Sequence, residues 1–312
     1  MGNGSVDGES GGSGGPERAD GAGRTAAAAA DDVLALLSDL LPVLAPHALL
    51  DREERRLVLL VDGAHATVDL EPLLSACRGR PQHTWPRRVE EWLAATAEGS
   101  AAALRERRRL GGDVESRLRV RLVPPLPGPE RRRLMCLPYG PLLDVVIHLD
   151  HPAEPGPLSR ERAVQLALAD PGEAAITGTL RREVPTFSVH DEPLGGTGED
   201  GDRVRVVARD GNPYVTGVLF DLERFVPAEE RPRGLLVGLP CHSRVLLYAV
   251  RGEALLRVAP VMAAQVREEF DAAPDGCDPR LFWWHEDRLY ELRRGRLTGR
   301  PRVPWALRSL LR

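Results

Sequence analysis

His148, Asp150 and His151 are the residues whose types and spacing come nearest to metal chemistry in this chain. They close an apolar run, Leu142 to Leu149, that reads as a strand. Alternation along it puts His148 and Asp150 on one face with Asp144, while Val145, Ile147 and Leu149 take the other, so two ligand types share a side. With a further ligand, such a face would hold a metal that activates water for hydrolysis. Without one it is the polar face of a half-buried strand, and the sequence favours that simpler reading. Cys241-His242 is an adjacent thiol and imidazole, but neighbours on an extended chain point to opposite faces, which argues against a nucleophile and base pair. Gly196, Gly198 and Gly201 match GxGxxG, yet they lie in an acidic loop that leads into a strand from Val204, so no helix N-terminus faces a phosphate. The carboxylates there, Asp191, Glu192, Glu199, Asp200 and Asp202, lack the spacing of a calcium loop. Neither a GxSxG elbow nor an HExxH helix occurs.

All 42 basic side chains are arginine, because the 312 residues include no lysine. Schiff-base catalysis, Walker-type ATP hydrolysis and protein-kinase chemistry each need an amine and are excluded, since guanidinium stays protonated and serves in binding and charge stabilisation. Codon usage explains most of the bias: Ile occurs only at Ile147 and Ile176, Asn only at Asn3 and Asn212, and all these residues have AT-rich codons. A GC-rich, actinobacterial genome is the expected source. The placement of the arginines is still informative. Arg117, Arg119 and Arg121 alternate with Leu118, Val120 and Leu122, and Arg203 and Arg205 repeat the pattern, which gives two strand faces that could meet a polyanion. Arg105, Arg107, Arg108 and Arg109 precede the first of these, and Arg131, Arg132 and Arg133 follow it. A tail from Arg293 carries Arg294, Arg296, Arg300, Arg302, Arg308 and Arg312, with no acid after Glu291. Trp283 and Trp284 are adjacent in a strand and cannot both face one core layer, so one is expected either to meet a partner or to lie under a helix that covers the second face. Few aromatics interleave with the arginines, which disfavours nucleic acid without closing that option and favours an acidic protein or other polyanion.

Net charge is −4, hydrophobic residues make up 42% and charged residues 28%, which describes a globular protein with a sizeable core. No apolar run approaches a membrane span and no basic segment precedes an apolar one, so a cytoplasmic location is expected. Cys77, Cys136, Cys241 and Cys277 form no CxxC pair; four reduced, buried thiols are expected. No cofactor is implied.

These residues need elements to position them. Residues 1–30 read as a disordered glycine-rich leader, because they lack the apolar side chains that offset ordering entropy. From Val33 a stripe through Leu34, Leu36, Leu37, Leu40, Leu41 and Leu44 predicts a helix, with Pro42 kinking or ending it. Leu57, Leu59 and Val61, an Asp62-Gly63 turn, then Ala66, Val68 and Leu70 predict a hairpin. Helices follow, the clearest opening at Thr84 and Pro86 with Val89, Trp92 and Leu93 inward, so residues 31–110 form a small α+β module. Residues 111–133 read as a strand and a proline-rich connection. Within 134–292, strands are expected at Leu142–Leu149, Thr186–Val189, Val204–Ala208, Tyr214–Phe220, Leu235–Leu239, Val245–Val250, Leu281–Trp284 and Leu289–Leu292. Helices are expected from Ser159 to about Ala169, over Glu173–Arg182, and from Pro260 to about Ala273. Strands that arrive as hairpins with irregularly placed helices predict an α+β fold with a mostly antiparallel sheet, and residues 293–312 form a basic tail.

Several of these elements, in order, resemble the YtpQ-like family of bacterial proteins, a domain of unknown function. The likeness rests on the first helix, the Asp62-Gly63 hairpin, Leu70-Glu71-Pro72-Leu73-Leu74, the helix pair closing at Leu180, and Asp210-Gly211-Asn212-Pro213-Tyr214. It continues through Leu235 to Pro240, the strand from Val245, and Phe282 to Tyr290, and so spans roughly 33–292. The family contributes a fold and no catalytic residue. The leader, the tail and the insertion around Gly195 to Gly201 are departures from it. His148-Leu149-Asp150-His151 also resembles the end of the HxHxDH motif of metallo-β-lactamase-like hydrolases, with Val146 where that motif has its first histidine. The expectation is a non-enzymatic cytoplasmic binding or adaptor protein that engages an acidic partner through arginine-rich surfaces. The alternative is a metal-dependent hydrolase using His148, Asp150 and His151.

Overall fold

A computed structural model describes residues 19–61, 63–194, 202–252, 254–294 and 301–302, and the chain divides into two compact units, Met1–Leu104 and Arg105–Arg312. The architecture is α+β with antiparallel sheets, as expected from the pattern of hairpins and interposed helices.

In the first unit, helix α1 (Ala19–Leu44) begins well inside the stretch expected as a leader. The run Ala26 to Ala30 has the highest helix propensity available and carries the helix back from the apolar stripe. Val33, Leu34, Leu37 and Leu41 recur every three to four residues and are buried against Leu57 and Leu59. Those two leucines lie on β2 (Arg56–Val61), between β1 (Leu49–Asp51) and β3 (Ala64–Asp69). The β2–β3 register closes at Val61↔Ala64. Gly63 there has φ +76°, a conformation that glycine adopts without strain, while Asp62 lies outside the described residues. Helix α2 (Glu71–Cys77) buries Leu73, Leu74 and Cys77, and α3 (Trp85–Arg109) buries Trp85, Val89 and Leu93.

The second unit is built on two sheets. Strand β4 (Leu118–Val123) pairs along its length with β6 (Leu143–Leu149), whose other side takes β5 (Cys136–Tyr139) and β7 (Gly156–Pro157). Helix α4 (Gly128–Arg133) joins β4 to β5. Of the segment 111–133, Leu118–Val123 is therefore a strand of this sheet and Gly128–Arg133 the helix that follows it. The larger sheet has the order β13-β12-β10-β11-β9-β8, all antiparallel. Its strands are β8 (Ser188–Pro193), β9 (Arg203–Ala208), β10 (Leu235–Cys241), β11 (Arg244–Ala249), β12 (Gly276–His285) and β13 (Arg288–Glu291). One face, with Val207, Leu235, Val237, Leu247, Phe282 and Trp284, joins Val120, Leu122, Val145 and Ile147 of the smaller sheet in a single core. The other, with Val204, Val206, Leu236, Leu246, Leu281 and Trp283, is covered by α7 (Ala254–Ala272).

Three devices close this unit. The outward amides of edge strand β4 are satisfied by hydroxyls: Val120 N donates to Thr179 Oγ1 at 2.9 Å and Leu122 N to Thr216 Oγ1 at 3.1 Å. Gly178, at the end of α6 (Pro171–Gly178), lets that helix approach so closely that a Cβ would lie 2.6 Å from Leu118 O. Edge strand β8 is guarded differently, since Pro193 has no N–H and Arg203 Nη2 donates to Asp191 O at 2.6 Å.

Some elements differ from expectation. Val215–Phe220 is a tight helical turn where a strand was expected, because the Asn212 side chain accepts Tyr214 N at 2.8 Å and starts a turn, and Thr216 is spent on β4. Helix α7 starts at Ala254 and runs through Pro260. Helix α5 (Arg160–Gln165) is capped by Ser159 as expected but stops before Ala167, which has φ +48°. In the tail, β14 (Arg293–Arg294) pairs with β15 (Pro301–Arg302). No helix among the described residues is long and apolar enough to cross a membrane.

Candidate functional site

The arginines of β4 do not form the open polyanion face that their alternation suggested. Arg117 ends the helical turn Glu115–Arg117 before the strand begins. Arg119 is only 5% exposed; its Nε donates to Glu183 Oε1 at 2.6 Å, and its Nη1 donates to Ser116 O and Leu118 O. Glu183 is a hub, since its Oε2 also accepts Asn212 Nδ2 at 2.8 Å and lies 3.6 Å from Arg209 Nη1. Arg121 is partly buried. The face is covered because the segments after α6 and before Val215 fold over it. A strand period reveals which side chains share a face but not what covers them.

The second arginine strand does reach solvent. Arg203 and Arg205 of β9 line a groove of about 400 Å³ with Arg251, Arg257, Asp191, Asp202 and Glu230. Arg205 is held in place, with Nε 3.2 Å from Asp191 Oδ1, Nη1 donating to Phe225 O at 2.7 Å and Glu230 Oε2 at 3.5 Å. Arg257 Nη2 lies 2.8 Å from Asp202 Oδ2, and Tyr248 Oη donates to Asp202 Oδ1 at 3.1 Å. Arg203 and Arg251 are exposed. Four guanidiniums thus face three carboxylates, over an apolar floor that includes Val226, Leu247 and Ala249. The net positive charge sits beside a sheet edge and can receive carboxylates or other anions by paired N–H donation. Arg251 and Arg257 escaped the sequence reading because the end of β11 and a turn of α7 meet β9 only in the fold.

A second polar cluster lies around the predicted metal ligands. His148 is 9% exposed and His242, at the β10–β11 turn, 4%. Burial first, and then the Arg121 charge, push the imidazoles down to about 4 and about 3, with His148 adding to the shift of His242. Both are neutral at physiological pH. Asp150 is exposed and accepts the Tyr214 hydroxyl at 3.4 Å, while His151 Nδ1 accepts Ala153 N at 3.1 Å. Asp144, expected on the same face, is fully buried and paired with Arg131. The three candidate ligands therefore do not converge, and among the described residues no three His, Cys, Asp or Glu side chains could hold a metal ion.

Trp283 and Trp284 are both buried, so the second face is covered by a helix and neither ring is exposed to a partner. Trp283 lies under α7 with Nε1 donating to Arg233 O at 3.0 Å, and Trp284 faces the shared core with the Arg231 guanidinium 4.8 Å from its ring centroid. Cys77, Cys136, Cys241 and Cys277 are buried thiols. Burial raises the Cys241 thiol, so Cys241-His242 holds no activated nucleophile. Gly196, Gly198, Gly201, Arg296 and the side chains of Arg293 and Arg294 lie outside the described residues. No family model matches this chain, and no curated protein or solved structure does either.

Proposed function

We propose that this chain is a non-enzymatic, cytoplasmic binding or adaptor protein that seats an acidic segment of a macromolecular partner in the Arg203–Arg205–Arg251–Arg257 groove. The observation that carries it is the lining: four arginines against Asp191, Asp202 and Glu230, with Arg203 and Arg251 exposed. Arg205 and Arg257 are fixed by neighbouring acids, so part of the site is ordered before a ligand arrives. A YtpQ-like assignment is compatible with this role, since that family contributes no catalytic residue. Metal-dependent hydrolysis through His148, Asp150 and His151 has no comparable support, because Asp150 and His151 already have protein partners.

Fluorescence anisotropy of a labelled glutamate-rich peptide, against its glutamine counterpart, tests this. Salt-sensitive binding of the glutamate peptide is expected, weakened at least about tenfold by Arg203→Glu with Arg251→Glu. Equal binding of both peptides, or no effect of the charge reversals, would refute it.

A further inference from the structure

The Arg121 cluster is separate from the groove and has its own logic. In the β4–β6 register Arg119 is opposite His148 and Arg121 opposite Val146, so Arg121 and His148 are diagonal neighbours on one face. His242 comes from the other sheet, on a turn fixed from two sides: its amide donates to Asp275 O and its carbonyl accepts Val215 N, each at 3.1 Å. Tyr214 stands edge-on to His148 with ring centroids 6.1 Å apart. Arg121 bears electrostatically on both imidazoles, and His148 bears on His242, so three nitrogen-bearing side chains from three elements are neighbours.

They are short of partners. Among the described residues no carboxylate lies within ion-pair distance of Arg121, His148 or His242. Arg121 Nε and His242 Nδ1 are both shut off from solvent without a hydrogen bond. Asp275 bears on Arg121 electrostatically from outside ion-pair distance, and Asp150 is engaged by Tyr214. A partly buried guanidinium without a counter-ion is costly, and orphaned polar atoms in an interior call for a partner. The group that satisfies guanidinium and imidazole N–H together is an oxyanion. A metal cation is disfavoured at the same nitrogens, because the Arg121 charge opposes it.

We propose that Arg121, His148 and His242 form a binding site for a small oxyanion of phosphate or carboxylate chemistry. The anion draws both imidazoles toward their charged forms, reversing the effect that burial and Arg121 have on them.

Long-range proton–nitrogen correlation spectra of the full-length labelled protein report on both imidazoles, assigned with His148→Gln and His242→Gln. Inorganic phosphate and acetate are titrated separately at neutral pH and constant ionic strength. The expected result is a saturable shift of both imidazole signals with at least one anion, which identifies the ligand's class. Arg121→Gln should weaken it on the order of 10- to 100-fold. If that variant does not fold, His242→Gln, with His148 as reporter, should weaken binding about tenfold or more. A non-saturating drift equal to that caused by chloride, or wild-type titration in either variant, would overturn the proposal.

Discussion

Arg119 shows how much one residue's role depends on what covers it. Its alternation with leucine and valine was legible in the sequence; its burial against Glu183 was not, because Glu183 is remote in the chain. Removing Glu183 leaves a buried cation uncompensated, so Glu183→Ala should cost about 3–5 kcal/mol, and replacing Arg119 and Glu183 together with apolar residues should recover much of that. Urea unfolding of the wild type and the two variants checks it. The histidines supply a second prediction. The unfolded chain protonates them below about pH 6.5, whereas the folded chain holds them neutral down to about 4 and about 3, so the unfolded state binds more protons across that window. The stability they contribute is present above about pH 6.5 and is lost as pH falls. Between about pH 7.5 and 5.5 the loss should be about 2–3 kcal/mol by urea unfolding, and His148→Gln with His242→Gln should flatten the profile.

At the scale of elements, alternation made the larger sheet readable: Val204 and Val206 under α7, Val207 and Leu247 on the opposite face. It failed at Val215–Phe220, whose strand-like composition is overridden by the Asn212 turn and by the demand of the β4 amides for acceptors. Thr216→Val keeps the shape and leaves Leu122 N–H unpaired, so thermal unfolding should show a loss of about 1–3 kcal/mol. Helix α7 is seated by Gly238, where a Cβ would lie 2.4 Å from Val266 Cγ2. Gly238→Ala should destabilise by about 1–3 kcal/mol, and adding Val266→Ala should relieve part of that loss. An unchanged midpoint in the single variant would show that the helix can retreat freely.

For the whole molecule, the sequence supplied the α+β class and one arm of the candidate site, Arg203 and Arg205. The groove itself was not legible, since it assembles side chains from β8, β9, the 226–230 segment, β11 and α7. With a net charge of −4, the chain as a whole repels an acidic partner, so recognition depends on where positive charge is concentrated. Hydrogen exchange with the glutamate-rich peptide bound tests that localisation most directly. The peptide should slow amide exchange in residues 188–193, 226–230 and 249–252, and leave the exposed sheet edge of the first unit unchanged; protection elsewhere, or none at the groove, would contradict the account.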